Sequence, residues 1–119
     1  MAKSLCVLVD RPPYGSIQPA EALRHARGAQ AKGWEVVLAL TGDAVYMALP
    51  NQSPPEGEWV PLSEALSKFI EEEKGGFLVE STALEARGIP ASDLIPGACP
   101  ATMGKIAEAL ARCDRTLIF

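Results

Sequence analysis

Short apolar runs alternate with helical stripes along this chain, and that alternation limits its fold more than any other feature. Leu5 to Val9 is apolar throughout and stops at Asp10, followed by Arg11 and two prolines. Glu35 to Leu40 (Glu-Val-Val-Leu-Ala-Leu) is apolar after its first residue. Phe77 to Glu80 and Arg115 to Phe119 are shorter runs of the same kind, and Trp59 to Leu62 is either a short strand or an extended connector. Strands with no polar alternation are buried on both faces. Five extended segments of this type, separated by helices, predict an α/β fold. Its architecture is three-layer α/β/α, with a mainly parallel sheet of about five strands.

The helical segments carry their own signals. Ala20 to Lys32 is Ala-rich, with Pro19 where a helix would begin and Gly33 where it would end. Ala44 to Leu49 reads as a short helix with Asp43 as its N-cap. Pro50 to Gly57 holds three prolines and reads as a loop. Leu62, Ala65, Leu66, Phe69 and Ile70 follow the i, i+3, i+4, i+7, i+8 spacing of an amphipathic helix starting near Ser63. Thr82 and Glu85 form a capping-box pair for a helix closed by Gly88. Ile89 to Pro100 reads as a loop, with an extended piece at Asp93 to Ile95. Met103, Ile106, Ala107 and Leu110 form the last helical stripe.

The chain has 119 residues, 48% hydrophobic and 22% charged. These proportions suit one folded domain over residues 1–119 rather than a disordered chain. No run reaches the roughly 18 apolar residues of a membrane span, and the first residues lack the apolar stretch of a secretion signal. A cytoplasmic location is expected. Net charge is −4, and the 11 Lys and Arg are scattered, whereas Glu71, Glu72 and Glu73 form the one dense charge run. A nucleic-acid partner would call for a basic stripe, so none is expected.

In parallel sheets covered by helices, ligands bind beyond the carboxyl ends of the strands. That rule selects Asp10 to Gln18, Thr41 to Asp43, Glu80 to Thr82, and Pro96 to Pro100. The candidate pocket or interface residues are therefore Tyr14, Gly15, Ser16, Thr41, Gly42, Asp43, Glu80, Ser81 and Thr82. Gly15 would let a backbone approach an anion, although a plain turn into a helix explains it too. No glycine-rich nucleotide motif is present. His25 lies 200° around its helix from Leu23, which suits a surface or interface position better than catalysis. One histidine and no Cys-x-x-Cys pair leave no metal site to expect, and no cofactor either.

Three cysteines without a secretion signal read as free thiols. Cys6 falls inside a strand and Cys113 at the end of the last helix beside Asp114. Cys99 lies in Pro96-Gly97-Ala98-Cys99-Pro100, read as a loop ahead of a helix. A helix N-terminus favours the thiolate, which makes Cys99 the candidate catalytic thiol.

The order of several segments resembles the DsrE/DsrF-like sulfur-relay family, with the DsrF/TusC branch as the most similar part. These are Arg11-Pro12-Pro13-Tyr14-Gly15-Ser16, Leu40-Thr41-Gly42-Asp43-Ala44-Val45, Leu49-Pro50-Asn51-Gln52, Leu84-Glu85-Ala86-Arg87-Gly88-Ile89 and Leu110 to Phe119. The resemblance implies a parallel α/β/α domain, homo- or hetero-oligomers (trimers or hexamers) with DsrE-family subunits, and a persulfide-bearing cysteine directly after the strand Phe77-Leu78-Val79. That position is Glu80 here, and the second family cysteine falls on Ala83. A carboxylate cannot accept sulfane sulfur. The resemblance therefore implies a structural or binding subunit without independent turnover, or a carrier with its thiol relocated to Cys99. A third reading is a small-molecule or partner-binding module outside sulfur chemistry.

Overall fold

The computed structural model describes residues 3–53 and 62–119. Strand β1 spans Ser4–Val9, β2 Glu35–Leu40, β3 Gly76–Glu80, β4 Cys99–Ala101 and β5 Arg115–Ile118. Helix α1 spans Gln18–Ala31, α2 Leu62–Glu71, α3 Ser81–Ala86 and α4 Met103–Arg112. A 3-10 helix covers Gly42–Ala48. The five strands form one sheet in the order β4-β3-β2-β1-β5, and every pairing is parallel. The three-layer α/β architecture expected from the apolar runs is the observed one.

Strand alternation divides the sheet into two faces. Leu5, Val7 and Val9 pair in register with Val36, Leu38 and Leu40, and the last two with Phe77 and Val79. All eight are buried in the main core, under Leu23 and Ala26 of α1, Leu66 and Phe69 of α2, and Val45 and Met47 of the 3-10 helix. The opposite face carries Leu8, Ala39, Leu78 and Ala101. Among the described residues its helical cover comes from α4, through Ile106 and Leu110.

α1 and α2 form where the sequence places them. Pro19 sits in the first turn of α1, and the chain leaves through Gly33 at φ +86°, where Gly33 N–H donates to Gln30 O. Only glycine enters that region without a steric cost. Leu62, Leu66 and Phe69 are buried on α2, with Ala65 and Ile70 packed against the same core. Of the extended segment expected over Trp59 to Leu62, residues 59–61 lie outside the described residues, and Leu62 opens α2.

Four local expectations are corrected. The extended piece lies at Cys99–Ala101 and not at Asp93 to Ile95, because Ala91–Asp93 closes into a 3-10 turn and Ile95 N–H donates to Ala48 O. Asp43 makes no cap bond, since Thr41 is the N-cap of the 3-10 helix and the Asp43 carboxylate is held by Arg87. Thr82 is not an N-cap either. α3 begins at Ser81 with Glu80 as its cap, which leaves Thr82 inside the helix. The last stripe is only half buried: Ile106 is inside and Leu110 partly so, but Met103 and Ala107 are exposed.

Candidate functional site

The carboxyl ends of β2 and β3 are adjacent in the sheet, since Leu40 pairs with Val79. Glu80 and the Thr41-Gly42-Asp43 turn therefore meet. Gly42 N–H donates to Glu80 Oε1 at 3.0 Å. Gly42 has φ +53°, and a Cβ there would lie 3.7 Å from Asp10 O. The glycine thus serves a left-handed turn, while a side chain there would make only ordinary van der Waals contact with the end of β1. Thr41 is buried and ties β2 to β1, donating to Val9 O from its N–H (2.9 Å) and from Oγ1 (3.3 Å).

Arg87 completes this cluster. Its Nη2 and Nε donate to Asp43 Oδ1 at 2.7 and 3.2 Å, and its Nη1 donates to Ala83 O at 3.1 Å. The hydrogen bonds it donates to Asp43 raise the guanidinium's pKa above its ordinary value, with smaller contributions from the charges of Asp43, Tyr46 and Glu80. In the sequence Arg87 stands in the Leu84 to Ile89 segment with no role of its own. It caps the far end of α3 while Glu80 caps the near end. Nothing local in the sequence ties Arg87 to Asp43, 44 residues before it.

The remaining loop candidates have other commitments. Tyr14 donates to Gln52 Oε1 at 2.8 Å and accepts from Leu62 N–H at 3.1 Å. Gln52 in turn donates to Met47 O and Leu49 O. Tyr14 thereby fastens the first loop to the start of α2. Gly15 and Ser16 are exposed, and among the described residues no hydrogen bond joins Tyr14, Gly15 or Ser16 to Glu80. Ser81 and Thr82 open α3 with no side-chain cap bond. Three cavities of about 600, 510 and 490 Å³ are lined by residues other than these candidates.

The three thiols lie apart from Glu80's carboxylate cluster. Cys6 is fully buried in β1, and burial pushes its pKa up to about 12. Cys113 is half-buried at the end of α4, and burial raises its pKa too. Cys99 is exposed, but it is the first residue of edge strand β4 and not a loop residue. It pairs with Leu78, two positions before Glu80, which places it about 7 Å back along the strand direction. Thr102 caps α4 by accepting from Lys105 N–H, so the helix N-terminus that would activate a thiol falls three residues beyond Cys99. Iodoacetamide at neutral pH is expected to alkylate native Cys99 and to spare Cys6 until the chain unfolds. Peptide mapping showing equal rates at both would contradict these positions. Because the Cys6 value is raised in the fold, its contribution to stability is complete below the ordinary value of 9.0 and is lost as pH climbs toward about 12.

Comparison with known proteins agrees with this arrangement of sheet and loops. The model of the DsrE/DsrF-like family matches residues 3–119. An uncharacterised protein of Methanocaldococcus jannaschii is 34% identical over 113 residues, covering 95% of this chain and 96% of that protein. The sulfurtransferase TusD of Salmonella arizonae is 27% identical over 124 residues, covering 95% and 97%. The crystal structure of the YchN protein from E. coli superposes with a TM-score of 0.85 at 27% identity, over 100% of both chains. With a family match across nearly its whole length, and a relative above 30% identity, this chain belongs to the DsrE/DsrF-like family.

Proposed function

We propose that the chain is a non-carrier subunit of an intracellular sulfur relay, one DsrE/DsrF-like domain that shapes or binds a complex without holding sulfur itself. The observation that carries this reading is Glu80. It occupies the end of β3 where the family resemblance puts a sulfur-accepting cysteine, and its carboxylate is already held by Gly42 N–H. The named relatives include TusD sulfurtransferases, which supports a place in sulfur transfer. The DsrF/TusC branch is the finer assignment, resting on motif order and on a Glu80 position without a thiol. Thr41, Gly42, Asp43, Glu80 and Arg87 would then form a surface that a partner subunit reads. A cytoplasmic location belongs to the same proposal, supported by three free thiols that suit a reducing compartment. No helix among the described residues is long and apolar enough to cross a membrane.

A second reading, relocated carrier chemistry at Cys99, is favoured only by the exposure of that thiol. Mixing the chain with a persulfide-loaded DsrE-family carrier and recording native mass spectra tests both. The proposal expects a complex in which the sulfur stays on the carrier. Absence of a complex, or sulfur moving to this chain, would overturn it.

A further inference from the structure

The cavity of about 510 Å³ lies between α1 and edge strand β5, and β5 is three strands away from β3 and Glu80. Leu5, Trp34 and Leu117 give it an apolar lining, and Leu117 is 37% exposed there. Its charges are of one sign. Arg24, Lys32 and Arg115 line it, and among the described residues no carboxylate does, although the whole chain carries −4. Arg24 is paired with Glu21 at 2.7 Å, and His25 Nδ1 lies 2.8 Å from Glu21 O. Among the described residues Lys32 and Arg115 form no ion pair. Arg115 Nη1 donates only to the neighbouring Asp114 O, at 2.9 Å.

Gly28 is a second, independent observation. It lines the same cavity and stands midway between Arg24 and Lys32, one turn from each. Its φ is not among the left-handed ones, and a Cβ built on it would meet nothing within 4 Å. Neither the backbone nor the packing of this chain therefore calls for glycine, and glycine inside a helix costs stability relative to alanine. Its missing side chain keeps the groove open between two cations and lets another molecule approach the helix backbone.

We propose that this groove binds a small organic anion with an apolar body, an alkyl or aryl acid. Lys32 and Arg115 hold the acid group, and the body lies over Gly28 against Trp34 and Leu117. The volume falls within the roughly 300–1,000 Å³ of small-molecule sites, which also pair an apolar lining with a few placed polar groups. Charge selects the ligand's sign. An ammonium ligand would meet cations on both walls with no carboxylate to answer it, whereas an acid gains charge-assisted hydrogen bonds from two side chains that have no ion-pair partner. The apolar lining selects against small inorganic anions, which have nothing to lay on Trp34 and Leu117.

This site goes beyond the proposed function and needs neither Glu80 nor a thiol. Fluorescence titration with anilinonaphthalene sulfonate, an aryl sulfonate, tests it on the wild-type chain, Gly28→Leu and Arg115→Glu. Both substitutions are at exposed positions, and circular dichroism melting checks that each variant folds. The wild type is expected to bind the dye saturably, one per chain. Octanoate should displace it, and octylammonium, with the same length and the opposite charge, should not. Gly28→Leu fills the groove and is expected to weaken binding by about tenfold while melting no lower than the wild type. Arg115→Glu is expected to weaken it by about tenfold as well. No saturable binding, equal displacement by octylammonium, or unchanged binding in both folded variants would overturn the site. Each of these results leaves the sulfur-transfer reading to its own experiment.

Discussion

Replacing Glu80 by cysteine is expected to turn a chain that takes up no sulfur at β3 into one that accepts one sulfur atom per chain. The geometry is favourable. A cysteine persulfide places its two sulfurs where glutamate places Cγ and Cδ, so the outer sulfur would lie beside Gly42 N–H, which now donates to Oε1 at 3.0 Å. Arg87, held by Asp43, adds a nearby positive charge. Both features favour an anionic sulfur over a neutral thiol. In the transfer, the new thiolate attacks the outer sulfur of a donor persulfide, the sulfur–sulfur bond of the donor breaks, and the donor leaves as a thiolate. Intact mass after incubation with a small-molecule persulfide would show the gain of one sulfur, at a site mapped to position 80. A folded Glu80→Cys variant that iodoacetamide alkylates at this position but no persulfide loads would show that this position is not built to accept sulfur.

The second large effect concerns the core that holds those loops. Phe69 is fully buried, meets Phe77 edge-on at 6.5 Å between ring centroids, and its carbonyl accepts from Gln30 Nε2 at 3.0 Å. It therefore joins α2 to both β3 and α1. Phe69→Ala removes the ring and leaves a cavity, at a cost of about 3–5 kcal/mol. A domain of this size has about 5–15 kcal/mol in total, so the variant would lose a large fraction of its stability. Urea denaturation would show the midpoint falling with an unchanged slope. A loss below about 1 kcal/mol would mean that the site collapses around the missing ring more fully than close-packed interiors allow.

The parts of the fold legible in the sequence are those where burial on both faces writes a continuous signal. β1 and β2 were readable because every position but the first of each carries apolar side chains, and α2 because Leu62, Ala65, Leu66, Phe69 and Ile70 repeat at helical spacing. β4 was not. Cys99-Pro100-Ala101 has no apolar run, and these residues are a strand only because Leu78 to Glu80 pair with them across the sheet edge. For the same reason the sequence alone puts Cys99 in a loop, whereas it opens β4. At the site, the carboxyl-end rule brought Gly42, Asp43 and Glu80 forward, and the sheet order then put them together. The partner of Asp43 was hidden. A local cap and a distant guanidinium look equally plausible in a sequence, and the choice was made by Arg87, 44 residues on. The exposure of Met103 and Ala107 was hidden too, because a helical stripe shows apolar spacing without saying which partner covers it.

The central claim is that this chain works in sulfur transfer without carrying sulfur. The most direct test is intact mass of the wild-type chain alone after incubation with a cysteine desulfurase and cysteine, with Glu80→Cys and Cys99→Ser beside it. The account predicts unmodified wild-type and Cys99→Ser chains, and a Glu80→Cys chain heavier by one sulfur. A stable single-sulfur adduct on the wild type, lost in Cys99→Ser, would contradict it and make Cys99 the carrier.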